Sequence, residues 1–156
     1  MGSIGPMTEA AVEFQGLARA AQRGLRVLVV EDHPVNRQVI TLMLARIPAQ
    51  VTCAENGAEG VEAFARDPYD IVLMDLRMPV MDGYEAMRRI RAAEAAAGAR
   101  RVPIVVASAH TTPVEVARAR DAGADQHIGK PIHIPTLFGA MDAALQGSPD
   151  AEPSSA

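Results

Sequence analysis

Two short apolar segments of this chain end directly in acidic residues. Residues 27–30 (VLVV) run into Glu31 and Asp32, and residues 71–74 (IVLM) run into Asp75. Four consecutive apolar residues are typical of a strand buried on both faces, as in a parallel sheet that helices cover on both sides. Because ligands of such sheets bind beyond the carboxyl ends of the strands, the pattern predicts a polar site at that edge.

The rest of the chain continues this alternation of short apolar and amphipathic segments. Three more strands are predicted at residues 51–54, 104–107 and 126–128. Five helices are predicted at about residues 34–47, 57–66, 84–97, 113–122 and 135–145. Strands that alternate with helices favour an α/β fold with a parallel, doubly covered sheet.

We expect a single domain between residues 25 and 146. Residues 1–24 are predicted to be an N-terminal tail or linker with partial helical character, because Gly16 weakens an otherwise amphipathic pattern. Residues 147–156 are rich in Pro and Ser and are predicted to be a disordered tail.

Charge and cysteine content exclude several classes of protein. A net charge of −4 disfavours direct binding to nucleic acid, because phosphate contacts need clustered Lys and Arg. The single cysteine, Cys53, rules out an internal disulfide, and we expect it to be a small buried residue. The chain has no membrane-length apolar run and no signal-peptide pattern at its N-terminus, so we expect a cytoplasmic protein without membrane insertion.

Polar residues also follow the remaining central strands. Ser108 follows the fourth strand and Lys130 the fifth, so both are expected beside Glu31, Asp32 and Asp75. Three close carboxylates repel unless a cation neutralises them, and an all-oxygen set suits Mg²⁺ before Ca²⁺. With Lys130 as a point charge and Ser108 as a donor, the predicted chemistry is phosphoryl transfer to a carboxylate nucleophile.

A simpler interpretation exists for one of these acids. Taken alone, Asp32 before Pro34 would most often be a helix N-cap. Its combination with Asp75, Ser108 and Lys130 instead favours a metal site.

Four segments resemble the response-regulator receiver domain of two-component signalling: VLVVEDHPVN, DIVLMDLRMPVMDGYEAMRRIR, PIVVASA and GADQHIGKPI. The resemblance covers roughly residues 25–145 and is greatest to receivers of hybrid histidine kinases. It implies a flavodoxin-like (βα)5 doubly wound parallel sheet with strand order 2-1-3-4-5, a topology that chemotaxis receivers also have.

The same resemblance implies roles for the acidic residues. Asp75 would be the phosphoacceptor, which takes a phosphoryl group from the phosphohistidine of a histidine kinase or phosphotransfer domain. Asp32, Asp75 and the backbone carbonyl of Arg77 would hold Mg²⁺, with Glu31 acting through water. The protein would catalyse only its own phosphorylation and dephosphorylation, and would not be a conventional enzyme.

Further roles follow for the later strands. Ser108 and Lys130 would bind the phosphoryl group, and the peptide bond before Pro131 would be cis. Ser108 and His127 would be the two switch residues. Phosphorylation would then change the surface formed by residues 112–145, the last two helices and the strand between them.

Three positions depart from the commonest family pattern. His33 follows the acidic pair where Asn is frequent, Ser108 replaces Thr, and His127 replaces an aromatic switch residue. A histidine at the switch position raises the hypothesis of pH sensitivity near neutrality.

Three apolar residues flank the predicted buried face of the first helix after the acidic pair. Val35, Val39 and Leu42 lie about a quarter-turn from that face at 100° per residue. They form either an unusually wide core face or an exposed strip for docking a phosphotransfer domain or kinase helix.

The leading interpretation is a phosphorylation-activated receiver module of a hybrid histidine kinase or phosphorelay. A stand-alone single-domain regulator is the alternative. A phosphatase of the haloacid-dehalogenase type is disfavoured, because Arg77 occupies the position of its general acid. Nucleotide-binding motifs are absent from the sequence, and an inert module conflicts with the intact Asp32, Asp75, Ser108 and Lys130.

Overall fold

The computed structural model describes residues 14–147. These residues form alternating helices and strands, in chain order α1 (Gln15–Gln22), β1 (Leu25–Val30), α2 (Pro34–Leu44), β2 (Ala49–Ala54), α3 (Gly57–Arg66), β3 (Ile71–Asp75), α4 (Gly83–Ala97), β4 (Ile104–Ser108), α5 (Pro113–Ala122), β5 (Gln126–Gly129) and α6 (Ile134–Gln146). The five strands form one parallel sheet in the order β2-β1-β3-β4-β5. The predicted fold and strand order are therefore confirmed.

The register of the sheet brings the carboxyl ends of the inner strands together. Val30 pairs with Met74, and Asp75 pairs with Ala107 on the next strand. Ser108 in turn pairs with Gly129, the residue before Lys130. The polar residues at the strand ends consequently lie along one edge.

Two apolar cores hold the sheet between its helices. The core on one face contains side chains from α1, α2 and α6, such as Leu17, Ile40 and Leu137. The other core contains side chains from α3, α4 and α5, such as Met87. Val27 to Val30 are at most 1% exposed, as the continuous apolar run predicts for a doubly covered strand.

Helix α1 is packed against α6. Leu17 is fully buried, and its backbone N–H donates to Oδ1 of Asp142 at 2.9 Å. Phe14 meets Phe138 edge to face with ring centroids 6.3 Å apart. A Cβ at Gly16 would lie 2.5 Å from a side-chain carbon of α6, so glycine permits the close approach of the two helices. Helix α1 thus adds one apolar face to the core, so residues 15–22 are a packed helix of the domain where a tail or linker was predicted.

The remaining expectations for the tails concern residues 1–13 and 148–156, which lie outside the described part of the chain. Within residues 14–147, no helix has the length and apolar character needed to cross a membrane.

Cys53 is exposed, so its predicted burial is wrong. The reason is the position of β2 at the edge of the sheet, where Ala54 is the one buried residue of the strand. Its Sγ lies 3.8 Å from the hydroxyl oxygen of Thr41 on α2.

Candidate functional site

Three carboxylates meet at the carboxyl ends of β1 and β3. One oxygen each of Glu31, Asp32 and Asp75 lies within 4.8 Å of the other two. Glu31 is 2% exposed and Asp75 is 8% exposed, whereas Asp32 is half-buried. The arrangement brings together the three acidic residues that the sequence predicted, and it can accommodate a hard divalent cation.

Lys130 reaches the same cluster from the end of β5. Its Nζ lies 3.0 Å from Oε1 of Glu31 and 3.3 Å from Oδ1 of Asp75. Burial lowers the pKa of Lys130, but the hydrogen bond to Glu31 and the charge of Asp75 outweigh it, so the pKa is raised. The following peptide bond, Lys130–Pro131, is cis, as predicted.

The electrostatics of Asp75 indicate an excess of negative charge. Its pKa is raised to about 6, first by burial and next by the charge of Glu31. Lys130 and the backbone N–H of Leu76, which donates to Oδ1 at 2.9 Å, only partly oppose this rise. One ammonium group therefore does not fully compensate the carboxylates, and an added cation would stabilise the ionised form.

The loop after β3 fixes the backbone of Asp75. The N–H of Gly83 donates to the carbonyl of Leu76 at 2.8 Å. A Cβ at Gly83 would collide with the backbone carbonyl of Asp75, so only glycine permits α4 to begin this close to the acid. Asp82 caps α4 by accepting from the N–H of Glu85 at 2.9 Å.

His33, which the sequence left unexplained, is the N-cap of α2. Its Nδ1 accepts from the N–H of Val35 at 3.2 Å. The carboxylate of Asp32 makes no hydrogen bond or ion pair with any residue between 14 and 147. The alternative role of Asp32 as a helix cap is therefore wrong, and its oxygens are available to a ligand.

Ser108, His110 and His127 form a chain of hydrogen bonds beside the acids. The hydroxyl of Ser108 donates to the carbonyl of His110 at 2.6 Å, and its Oγ lies 3.0 Å from Nε2 of His127. Because Ser108 has a single proton, Nε2 of His127 must be the donor in the second contact. Nδ1 of His127 is then a bare acceptor, and it is buried without a partner in the described part of the chain.

Burial also affects the charge of the histidine. It lowers the pKa of His127, while a hydrogen bond to the backbone of His110 and the charge of Glu115 oppose the change only in part. The two predicted switch residues, Ser108 and His127, are therefore in direct contact through a serine hydroxyl and a neutral imidazole.

The side chain of Arg77 points away from the acids toward α5. Its Nη2 lies 2.7 Å from Oε2 of Glu115, whose other oxygen accepts from the hydroxyl of Tyr84 at 2.5 Å. Sequence reasoning assigned Arg77 only a backbone role and did not find Glu115 or Tyr84. No spacing rule relates these three residues, since they belong to different elements.

The apolar strip beside the site is exposed. Val35, Val39 and Leu42 expose 56%, 40% and 65% of their surface, whereas Ile40 and Leu44 on the same helix are buried. The wide core face is therefore the wrong alternative. The strip begins two residues after the N-cap of α2, close to the acidic cluster.

Curated relatives are large signalling proteins. The chain is 38% identical over 124 residues to the sensory/regulatory protein RpfC of Xanthomonas campestris pv. campestris, a match that covers 79% of this chain. It spans only 17% of the length of that relative.

Solved structures share the same fold. The receiver domain of the sensor histidine kinase PA1611 from Pseudomonas aeruginosa is 37% identical with a TM-score of 0.71, covering 80% of this chain and 99% of that one. Its structure has a magnesium ion coordinated in the active site cleft.

A second structure is a complex. It is a co-crystal of the Saccharomyces cerevisiae histidine phosphotransfer signaling protein Ypd1 and the receiver domain of its downstream response regulator Ssk1. The matched chain is 25% identical with a TM-score of 0.74, and the match covers 80% of this chain and 92% of that one. Finally, residues 27–142 match the family described as response regulator receiver domain. The chain belongs to the response regulator receiver domain family.

Proposed function

We propose that this chain is a phosphorylation-dependent signalling switch that accepts a phosphoryl group on Asp75 from a phosphohistidine. The observation that carries the proposal is the convergence of Glu31, Asp32 and Asp75 within 4.8 Å, with Lys130 bound between two of them. The similarity to the receiver domain of the sensor histidine kinase PA1611 supports a receiver module of a hybrid histidine kinase.

Asp75 is the nucleophile in this proposal. With a pKa of about 6, it is mostly ionised at neutral pH. Both hydrogen bonds to its carboxylate fall on Oδ1, from Leu76 and Lys130, and no donor from the described residues reaches Oδ2. We assign Oδ2 as the attacking oxygen, so that its bond to phosphorus forms while the bond from phosphorus to the donor imidazole nitrogen breaks.

Mg²⁺ is the cofactor of the proposal. Asp32, Asp75 and the backbone carbonyl of Arg77 would hold it, and Glu31 would contribute through water. A bound cation would offset the burial and the charge of Glu31, which raise the pKa of Asp75, and the magnesium ion in the PA1611 receiver supports the same cofactor. Bound Mg²⁺ would neutralise charge on the transferring phosphoryl group.

Lys130 and Ser108 would bind the product. Lys130 is within reach of Oδ1 of Asp75 and can pair with a phosphoryl oxygen once Asp75 has become an acyl phosphate. Ser108 would turn its hydroxyl from the carbonyl of His110 to the phosphoryl group, which removes the contact that holds His127. The surface formed by α5, β5 and α6 would then shift between two populations.

The partner in the proposal is a histidine kinase or histidine phosphotransfer domain. The exposed strip of Val35, Val39 and Leu42 provides an apolar docking surface beside the acids. The complex of Ypd1 with the Ssk1 receiver supports a partner of this kind. A cytoplasmic location belongs to the same proposal, because a single free cysteine suits a reducing compartment.

The two alternative functions are not favoured. A stand-alone single-domain regulator would use the same site chemistry and differ only in what the domain is attached to. A phosphatase of the haloacid-dehalogenase type is not favoured, because Arg77 is directed to Glu115 and offers no acid at that position.

A phosphoryl mimic tests the proposal directly. Wild-type protein with Mg²⁺ is treated with beryllofluoride, and with acetyl phosphate in a parallel sample. We expect amide NMR shifts centred on Asp75, Ser108 and His127, a mass increase of one phosphoryl group with acetyl phosphate, and loss of both in Asp75→Asn. Wild-type protein that is unchanged by both reagents would overturn the proposal.

A further inference from the structure

Glu115 connects the two loops that flank the candidate phosphorylation site. It lies at the third position of α5, where its N–H donates to the Thr112 cap at 3.3 Å. Its Oε2 accepts from Arg77 at 2.7 Å and its Oε1 from the hydroxyl of Tyr84 at 2.5 Å. The guanidinium carbon of Arg118 lies 4.2 Å above the Tyr84 ring and adds a cation–π contact.

The two partners of Glu115 lie in and after the loop that connects β3 to α4. Arg77 follows Asp75 by two residues, and Tyr84 lies in the first turn of α4. Glu115 itself follows the loop that begins at Ser108. The side chain of Glu115 is 15% exposed and that of Arg77 is 63% exposed, so the bond from Tyr84 is the more shielded of the two bonds.

We propose that Glu115 is a positioning residue whose bridge to Arg77 and Tyr84 favours the unphosphorylated arrangement of the two loops. This inference rests on the proposed function, because it concerns regulation of the same site. It assigns Glu115 no contact with the phosphoryl group.

Two physical effects weaken the bridge on phosphorylation. First, Ser108 must turn from His110 toward Asp75, and the loop that carries Glu115 moves with it. Second, Arg77 follows Asp75 by two residues, so a phosphoryl dianion on Asp75 would attract its guanidinium away from Glu115. A contact that is stronger in one state stabilises that state, so loss of the bridge must favour binding of the phosphoryl group by the same factor.

The test compares two variants with two matched controls. Glu115→Gln removes the charge of the bridge, and Tyr84→Phe removes one of its hydrogen bonds. Glu85→Gln removes a carboxylate whose partners among residues 14–147 are Arg88 and Arg89, both within α4. Tyr69→Phe removes a hydroxyl that has no hydrogen-bond partner in the described part of the chain.

The measurement is the dissociation constant of beryllofluoride at saturating Mg²⁺, by isothermal titration calorimetry. We expect binding about three- to ten-fold tighter in Glu115→Gln, a smaller gain in Tyr84→Phe and no change in either control. A residue that merely supports the fold would not give a gain in affinity. Thermal unfolding shows whether each variant is folded. If Glu115→Gln is unfolded, the affinity of Tyr84→Phe for beryllofluoride decides the test.

The outcomes separate the two proposals. If wild-type protein binds beryllofluoride and both variants bind it equally or more weakly, the role of Glu115 is overturned and the proposed function stands. If wild-type protein does not bind beryllofluoride, the proposed function fails and the inference fails with it.

Discussion

The ammonium group of Lys130 lies 3.0 Å from Oε1 of Glu31, and only 20% and 3% of the two side chains are exposed. The second contact of this ammonium, to Asp75, is longer at 3.3 Å. In the metal-free protein, Lys130 is therefore the cation that compensates Glu31. In the proposed function, Mg²⁺ would compete with Lys130 for these carboxylates, whereas a phosphoryl group on Asp75 would attract Lys130.

This competition predicts opposite effects of one substitution. Lys130→Met should bind Mg²⁺ about three- to ten-fold more tightly, because a nearby positive charge is removed. The same variant should bind beryllofluoride at least about ten-fold more weakly, because a charge-assisted bond is lost. Calorimetric titrations measure both constants, with the exposed Arg46→Met as control. A parallel change of both constants would contradict the competition.

The raised pKa of Asp75 predicts a pH-dependent stability. The pKa of Asp75 is about 6 in the folded state and near the ordinary value of about 4 in the unfolded state. Between these pH values the folded state binds more protons than the unfolded state. The free energy of unfolding therefore falls as the pH rises from about 4 to about 6. The penalty is complete above about pH 6. Asp75→Asn removes it and should stabilise metal-free protein at pH 7.5 by about 1–2 kcal/mol, after allowance for solvent screening.

Urea unfolding in EDTA at pH 4.5 and pH 7.5 checks this expectation. The increase in the free energy of unfolding caused by Asp75→Asn should be small at pH 4.5, where the wild-type acid is protonated in the folded state. Asp121→Asn, an exposed substitution on α5 without a described partner, is the control. An equal gain at both pH values would show that charge on Asp75 is not its cause.

His127 predicts a second pH effect of opposite sign. Burial lowers its pKa below the ordinary value of about 6.5, so the unfolded chain binds a proton more readily and stability is lost as pH falls below about 6.5. His127→Phe should reduce this loss of stability at low pH.

NMR titration should show the Nε2–H tautomer of His127 in free protein. The pKa of His127 should rise with beryllofluoride, because the reagent adds negative charge and draws Ser108 away from the imidazole. An unchanged pKa would exclude coupling between His127 and the site.

The strand ends were predictable because they depend on local patterns. Apolar runs before Glu31 and Asp75 specified buried parallel strands, and the geometry of such sheets places their carboxyl ends at one edge. Ser108 and Lys130 followed from the same rule. The choice of Glu31 as the nearer partner of Lys130 was not predictable, because it depends on side-chain positions across the sheet.

Other features depend on contacts that no periodicity encodes. The exposure of Cys53 follows from the edge position of β2, which is a property of strand order. The packing of α1 depends on Gly16 meeting α6, although in sequence that glycine only weakened the helix. His33 is an infrequent N-cap, so residue preference pointed to Asp32 instead.

A network around Arg91 was also not predictable from the sequence, and it implies a large loss of stability on substitution. The Arg91 side chain is 14% exposed and binds Glu94 and Asp125, each at 2.9 Å. It also donates to the carbonyls of Val102 and Gly123. Arg91→Ala would remove the described side-chain donor of the Val102 carbonyl and one cation each from Glu94 and Asp125, while Arg101 still reaches Asp125 and Gly123. We expect a loss of about 2–3 kcal/mol in the free energy of unfolding.

Urea unfolding measures this loss against a matched substitution. Arg89→Ala removes an arginine of the same helix that pairs with Glu85 on the exposed surface, and we expect little change. A small effect in both variants would show that solvent replaces the contacts of Arg91.

The strip of Val35, Val39 and Leu42 predicts a selective defect in phosphotransfer. Replacement of Val35 and Leu42 by Ser removes apolar surface that a phosphotransfer domain would cover, and we expect kcat/KM for transfer from a phosphorylated phosphotransfer domain to fall about ten-fold. Both side chains are more than half exposed, so the fold should tolerate the change. Phosphorylation by acetyl phosphate should be unaffected, because a small donor needs no docking surface.

Val114→Ser, which alters a 70% exposed valine on α5, is the control for loss of apolar surface. Equal losses with both donors would indicate unfolding, and no loss with either donor would place the docking surface elsewhere.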